Sequence, residues 1–189
     1  MNGFGDSYKK KKNKNIKFSK EQIINQAIQL HMQGNILEAT KYYQNIIHQG
    51  WNDPRVFTNY GIILRNLGNL KEAEISFRKA IELNPNLANA YSNLGNILRD
   101  LGNLKEAEIY QRKAIELNPN LANAHSNLGN ILRDLGNLKE AKISFRKAIE
   151  LNPNLAVSHS NLGNIQSILG NLKEAEISFR KAIELNPNL

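Results

Sequence analysis

The chain contains no cysteine, a single tryptophan, two methionines and only five prolines in 189 residues. Without thiols it can form no disulfide, no thiolate metal site and no cysteine nucleophile. That composition suits a reducing compartment, and we expect the chain to be cytoplasmic. Long apolar runs are missing too: no stretch approaches the ~18 residues that a membrane span requires. The N-terminus, MNGFGDSYKKKKNKNIKFS, is basic but has no apolar core, so it is not a secretory signal. The patterns G-x-S-x-G, G-x-x-x-x-G-K-[ST] and H-E-x-x-H are all absent, and no nucleophile–base pair stands out. We therefore expect no catalytic residues, no metal and no cofactor.

Positive charge is concentrated at one end. The formal net charge is +8, yet residues 1–19 carry six lysines (Lys9, Lys10, Lys11, Lys12, Lys14 and Lys17) against a single acid, Asp6. The other 170 residues carry 19 basic and 16 acidic side chains. The lysines are flanked by Phe4, Tyr8 and Phe18 rather than interleaved with them, so they lack the alternating aromatics that stack single-stranded bases. Residues 1–19 read as a disordered, solubilising leader. Contact with nucleic acid or an anionic membrane is the lesser reading, and it would weaken sharply as salt rises.

What the chain has in abundance is itself. The stretch GNLKEAEISFRKAIELNPNL occupies residues 68–87 and again 170–189, an offset of 102 residues or three periods of 34. That period divides residues 20–189 into five units: 20–53, 54–87, 88–121, 122–155 and 156–189. In the third unit Tyr91, Leu94, Ile97, Leu98 and Leu101 recur at spacings of three and four, the pattern of one helix face. Gly102 can take the left-handed conformation that ends a helix. Asn103 then reads as an N-cap, with Glu106 completing a capping-box-like pair. Leu104, Ala107, Ala114, Ile115 and Leu117 mark the inner face of a second helix, which Asn118-Pro119 ends. Gly95 and Ala107 suit a close approach of the two helices, and Ala114 the docking of the next unit. Each unit is a helical hairpin, and stacked hairpins bury what one alone cannot.

These residues resemble the tetratricopeptide repeat (TPR) signature: a large aromatic, Leu-Gly, an apolar residue, Ala, an aromatic, Ala and Pro at fixed places in 34 residues. In the second unit the positions fall on Phe57, Tyr60-Gly61, Leu64, Ala73, Phe77, Ala80 and Pro85. In the third they fall on Tyr91, Leu94-Gly95, Leu98, Ala107, Gln111, Ala114 and Pro119, with Gln111 replacing an aromatic. The fifth has Gln166 in place of an apolar residue. The first unit diverges most, with Ala27 for the glycine and Trp51 for the proline, as suits a terminal repeat. The resemblance implies an all-α solenoid of five stacked helix-turn-helix units. It also implies a concave surface made by the first helix of each unit, which holds a peptide or partner protein.

On that surface one position is asparagine in every unit: Asn25, Asn59, Asn93, Asn127 and Asn161. Beside this ladder lie Asn96, Asn130 and Asn164, and Arg65, Arg99 and Arg133. A carboxamide offers both donor and acceptor, so a row of them can hold peptide backbone without reading side chains. The alternative is that duplication copied an idle, solvated residue. The ladder is similar to that of the TPR region of O-linked N-acetylglucosamine transferases. It departs from chaperone-binding TPRs, whose clamp lysine is replaced here by Thr58, Ser92, Ser126 and Ser160. His125 and His159 occupy core aromatic positions and read as packed rings, not ligands.

Taken together, the sequence leads us to expect an adaptor or scaffold that binds a protein or peptide in the groove. The alternative is the substrate-docking region of a longer transferase, of glycosyltransferase or sulfotransferase type. Ala182 and Ile183, on the last hairpin, have no following unit to cover them. We expect a partner, a homodimer through that hairpin, or a further segment.

Overall fold

A computed structural model of the chain describes residues 19–188, so nearly all of the lysine-rich leader lies outside the described residues. Among the described residues there are ten α-helices and no strand. They are α1 (Lys20–Met32), α2 (Ile36–His48), α3 (Pro54–Asn66), α4 (Leu70–Leu83), α5 (Ala88–Asp100), α6 (Leu104–Leu117), α7 (Ala122–Asp134), α8 (Leu138–Leu151), α9 (Ala156–Ile168) and α10 (Leu172–Leu185). Consecutive pairs form the five expected hairpins. The backbones of successive first helices approach one another closely (α1–α3, α3–α5, α5–α7, α7–α9), whereas those of successive second helices stay apart and are bridged by long side chains. The first helices therefore lie at the smaller radius and line the concave side, and the second helices form the outer wall.

Each hairpin turns where the sequence places glycine. Gly102 has φ 85°, and the amides of Gly102 and Asn103 donate to Arg99 O (2.9 Å) and Leu98 O (2.8 Å). These bonds satisfy carbonyls that the end of α5 would otherwise leave orphaned. The expected capping box does not form. Asn103 makes no side-chain cap to α6, and Glu106 accepts instead from Arg78 Nη2 at 2.7 Å. A guanidinium one unit away is the stronger partner for a carboxylate than a neutral amide. Among the described residues the one capping box lies at α1: Gln22 N donates to Ser19 Oγ, and Ser19 N to Gln22 Oε1. The turns between units close on asparagine. Asn118 Oδ1, for example, accepts from Asn120 N at 3.1 Å before the chain enters α7.

Packing follows the small-residue pattern. A Cβ built on Gly129 would sit 2.7 Å from Phe145 Cε1, so only glycine lets the ring close onto α7. Ala73, Ala80, Ala107, Ala114, Ala141 and Ala148 are fully buried where helices and units meet. In the middle of the stack Leu94, Ile97 and Leu98 are also fully buried, each worth about 1.5–3 kcal/mol against exposure. One edge of α10 is left open: Leu172 is 68% and Ile183 55% exposed, while their counterparts Leu70 and Ile81 are half-buried; Ala182, expected to lie uncovered as well, is buried within its own hairpin.

The outer wall carries a relay of ion pairs. Arg78 joins Glu74 (2.8 Å) and Glu106 (2.7 Å), and Arg112 joins Glu108 (2.8 Å) and Glu140 (2.8 Å). The relay breaks at Arg146, which makes no ion pair among the described residues, because Lys142 stands where its intrahelical glutamate would be. Lys142→Glu is expected to restore that pair and stabilise the chain by about 0.3–0.5 kcal/mol. Chemical denaturation measures the gain, and a loss of stability would show that Arg146 cannot take the pair.

Candidate peptide-binding groove

Asparagine recurs on the inner helices at a spacing of one unit, so stacking lines the side chains along the groove. The structure does not treat them alike, because long side chains from the preceding unit reach them. Arg65 Nη1 donates to Asn93 Oδ1 at 3.3 Å, and Arg133 Nη1 to Asn161 Oδ1 at 3.4 Å. His31 holds the same register position relative to Asn59. Burial lowers the His31 imidazole pKa below its ordinary value, and the hydrogen bond to Asn59 offsets part of that. Arg99 breaks the series by turning to Asp134 at 2.6 Å, which Arg133 also contacts. Burial alone would raise the Asp134 carboxyl, but the two guanidiniums outweigh it and hold the carboxyl below its usual range.

Two of the ladder side chains are tied up within the chain itself. Asn59 Nδ2 donates to the Arg55 carbonyl at 2.8 Å, and Asn161 Nδ2 to Asn130 Oδ1 at 3.0 Å. Asn25 and Asn164 are exposed at the two extremes. Near the first of these Arg55 bridges Glu21 (2.8 Å) and Asp53 (2.7 Å), holding both carboxyls below their ordinary values.

The middle of the ladder is different. A cavity of about 350 Å³ lies across α3, α5 and α7, lined by Arg65, Asn93, Asn96 and Asn127, with Asn89, Ser92, Leu121 and Asn123. Asn93 uses its oxygen on Arg65. Asn127 uses its nitrogen on Ser92 Oγ, at 3.3 Å. Among the described residues no hydrogen bond takes the Asn93 N–H groups or the Asn127 carbonyl. A donor and an acceptor therefore stand one unit apart on the same wall, the pair that one stretch of peptide backbone needs. Of the other expected residues, Arg99 and Arg133 are held at the neighbouring Asp134, and Asn130 accepts from Asn161. Asn89 and Asn123 were missed by the sequence reading. Each lies four residues before a ladder asparagine, and that spacing places it on the same helix face.

Both histidines at the core aromatic position are tied to backbone. His125 Nε2 lies 2.9 Å from Pro119 O, and His159 Nε2 3.0 Å from Pro153 O. A carbonyl only accepts, so in both rings Nε2 carries the proton and staples the inter-unit turn. Among the described residues no cluster of ligating side chains is placed for a metal ion, and no helix is long and apolar enough to cross a membrane.

The sequence matches the tetratricopeptide repeat profile over residues 53–120, 86–153 and 120–188, which together span most of the chain. The chain belongs to the tetratricopeptide repeat family. Several solved structures resemble it over most of their length. MamA from Desulfovibrio magneticus RS-1 is 26% identical, with TM-score 0.77 over 89% of this chain and 95% of that one. YrrB, described as a TPR protein with an unusual peptide-binding site, is 26% identical, with TM-score 0.72 over 88% of this chain and 86% of that one. PilF of Pseudomonas aeruginosa, at 17% identity, shares the fold with TM-score 0.78 over 88% of this chain and 76% of its own. No curated protein matches the chain significantly in sequence.

Proposed function

We propose that this TPR array is an adaptor that holds an extended segment of a partner protein in its concave groove, with no chemistry of its own. The observation that carries this reading is the unengaged pair over the central cavity, the Asn93 N–H groups and the Asn127 carbonyl. Arg65 adds a guanidinium whose only side-chain partner among the described residues is the neutral Asn93, so the groove also favours an acidic side chain on the guest. The description of YrrB as peptide-binding supports the same class of partner.

The test starts from a random peptide library selected on the full chain. The affinity of the best binder is then measured against Asn93→Ala/Asn127→Ala. Losing two hydrogen bonds is expected to weaken binding about 5- to 100-fold, with the helical circular dichroism unchanged. Full-strength binding by the double variant would leave the ladder without a role.

A further inference from the structure

A second cavity lies away from the groove, in the seam between α2 and α4. Its volume is about 400 Å³, and its walls are Ile47, Phe57, Tyr60, Leu64 and Ile75, with Ser76 at its base and Glu72 and Lys79 at its rim. Moving each residue forward by one 34-residue period gives Ile81, Tyr91, Leu94, Leu98, Ile109, Tyr110, Glu106 and Lys113. The decisive change is Ser76 to Tyr110. In the third unit the Tyr110 ring lies 5.9 Å from that of Tyr91, and its hydroxyl accepts from Arg78 Nη1 at 2.7 Å. The Arg78 guanidinium lies over the Tyr110 ring at 5.4 Å and also pairs with Glu106 at 2.7 Å. With Tyr110 in place, Leu94 and Leu98 are fully buried. Where serine replaces it, Tyr60, the counterpart of Leu94, is half-buried, and Leu64, the counterpart of Leu98, retains 5% exposure.

The second unit lacks both halves of that arrangement. Gln44 stands at the register position of Arg78 and donates to Tyr60 Oη at 3.1 Å. Glu72, the counterpart of Glu106, has no cation among the described residues. The site thus has an apolar slot of aromatic shape and an unmatched carboxylate at its mouth. The fourth unit also has serine, Ser144, but there the aromatic floor is His125, tied to Pro119, and the rim carboxylate Glu140 is already taken by Arg112.

We infer that this crevice is a second docking point, which receives an aromatic side chain of a partner protein with an adjacent basic residue on Glu72. The guest reproduces from outside what Tyr110 and Arg78 do within the chain: a ring stacked on the Phe57 side and a cation on the carboxylate. The site is on the outer wall, so it can be occupied while the concave groove holds another segment.

The probe is a Tyr-Arg dipeptide capped at both ends, titrated into the full chain and followed by backbone amide NMR. Saturable shifts are expected at Ile47, Phe57, Tyr60, Leu64 and Ser76. Ser76→Tyr, a change the third unit already accommodates, is expected to fill the slot and weaken binding by about tenfold or more. Glu72→Gln is expected to weaken it about two- to fivefold, and the effect should vanish at high salt. Asn93→Ala/Asn127→Ala should leave it unchanged, which separates this site from the groove. Shifts confined to other residues, or undiminished binding by the folded Ser76→Tyr variant, would overturn the inference. So would movement of the crevice amides on Tyr8→Ala without any probe, because it would assign the crevice to the chain's own Tyr8-Lys9.

Discussion

Phe145→Ala is expected to destabilise the fourth and fifth units by about 3–5 kcal/mol. The ring is fully buried and joins Leu128, Leu132, Leu162 and Ile165 in one cluster, so its loss leaves a cavity shared by both units. A solenoid touches only its neighbours, so the loss should not spread evenly. Native-state hydrogen exchange should show faster exchange in α7 to α10 and near-normal protection in α3 and α4. Uniform loss along the chain would contradict a stack held together by nearest-neighbour contacts. The opposite change at the same contact, Gly129→Ala, should cost about 1–3 kcal/mol by overpacking. In the double variant the new methyl group enters the space the ring vacated. Its cost should therefore fall short of the sum of the two single costs.

Gln111→Phe is expected to stabilise the chain by about 1–3 kcal/mol, read by chemical denaturation. Gln111 is fully buried at the position where Phe77 and Phe145 are fully buried. Its amide nitrogen donates to Ser92 Oγ (3.0 Å) and Ala124 O (3.3 Å), but its Oε1 has no partner. A buried acceptor without a donor carries its full desolvation cost. Phenylalanine would remove that acceptor and lie on Gly95 as Phe145 lies on Gly129. Ser92 would keep the Asn127 N–H, and the Ala124 carbonyl its bond within α7. Destabilisation would show that the Gln111 bonds to Ser92 and Ala124 are worth more than the orphaned oxygen costs. Because Ser92 lines the groove cavity, the same variant also tests whether the core polar network sets the pose of Asn127.

Much of the molecule is legible from residues alone because its causes are local. Spacings of three and four mark each helix face. Gly102 and its equivalents end the first helix of a hairpin, and Asn-Pro ends the second. Glycine and alanine at fixed places in the period fix where helices approach, and Gly129 against Phe145 follows from that pattern. Even the ion pairs Glu74–Arg78 and Glu108–Arg112 are local, being four residues apart.

The failures have the opposite character. Asn103 looked like a cap and Glu106 like its partner, but Arg78, 28 residues earlier, claims the carboxylate. The five ladder asparagines look equivalent in sequence. Yet Asn161 is spent on Arg133 and Asn130, while Asn93 and Asn127 keep a free donor and a free acceptor over a cavity. Ser76 and Tyr110 look like a neutral difference between copies, and only stacking turns one into an open crevice and the other into its filling. By itself the sequence determined the 34-residue period, the ten helices and the small residues at their contacts, because these depend on neighbours within a turn or two of helix. The tertiary structure alone decided which polar groups remain free and where the surface is hollow. Those depend on side chains about one period away along the chain, brought within hydrogen-bonding reach only when one hairpin stacks on the next.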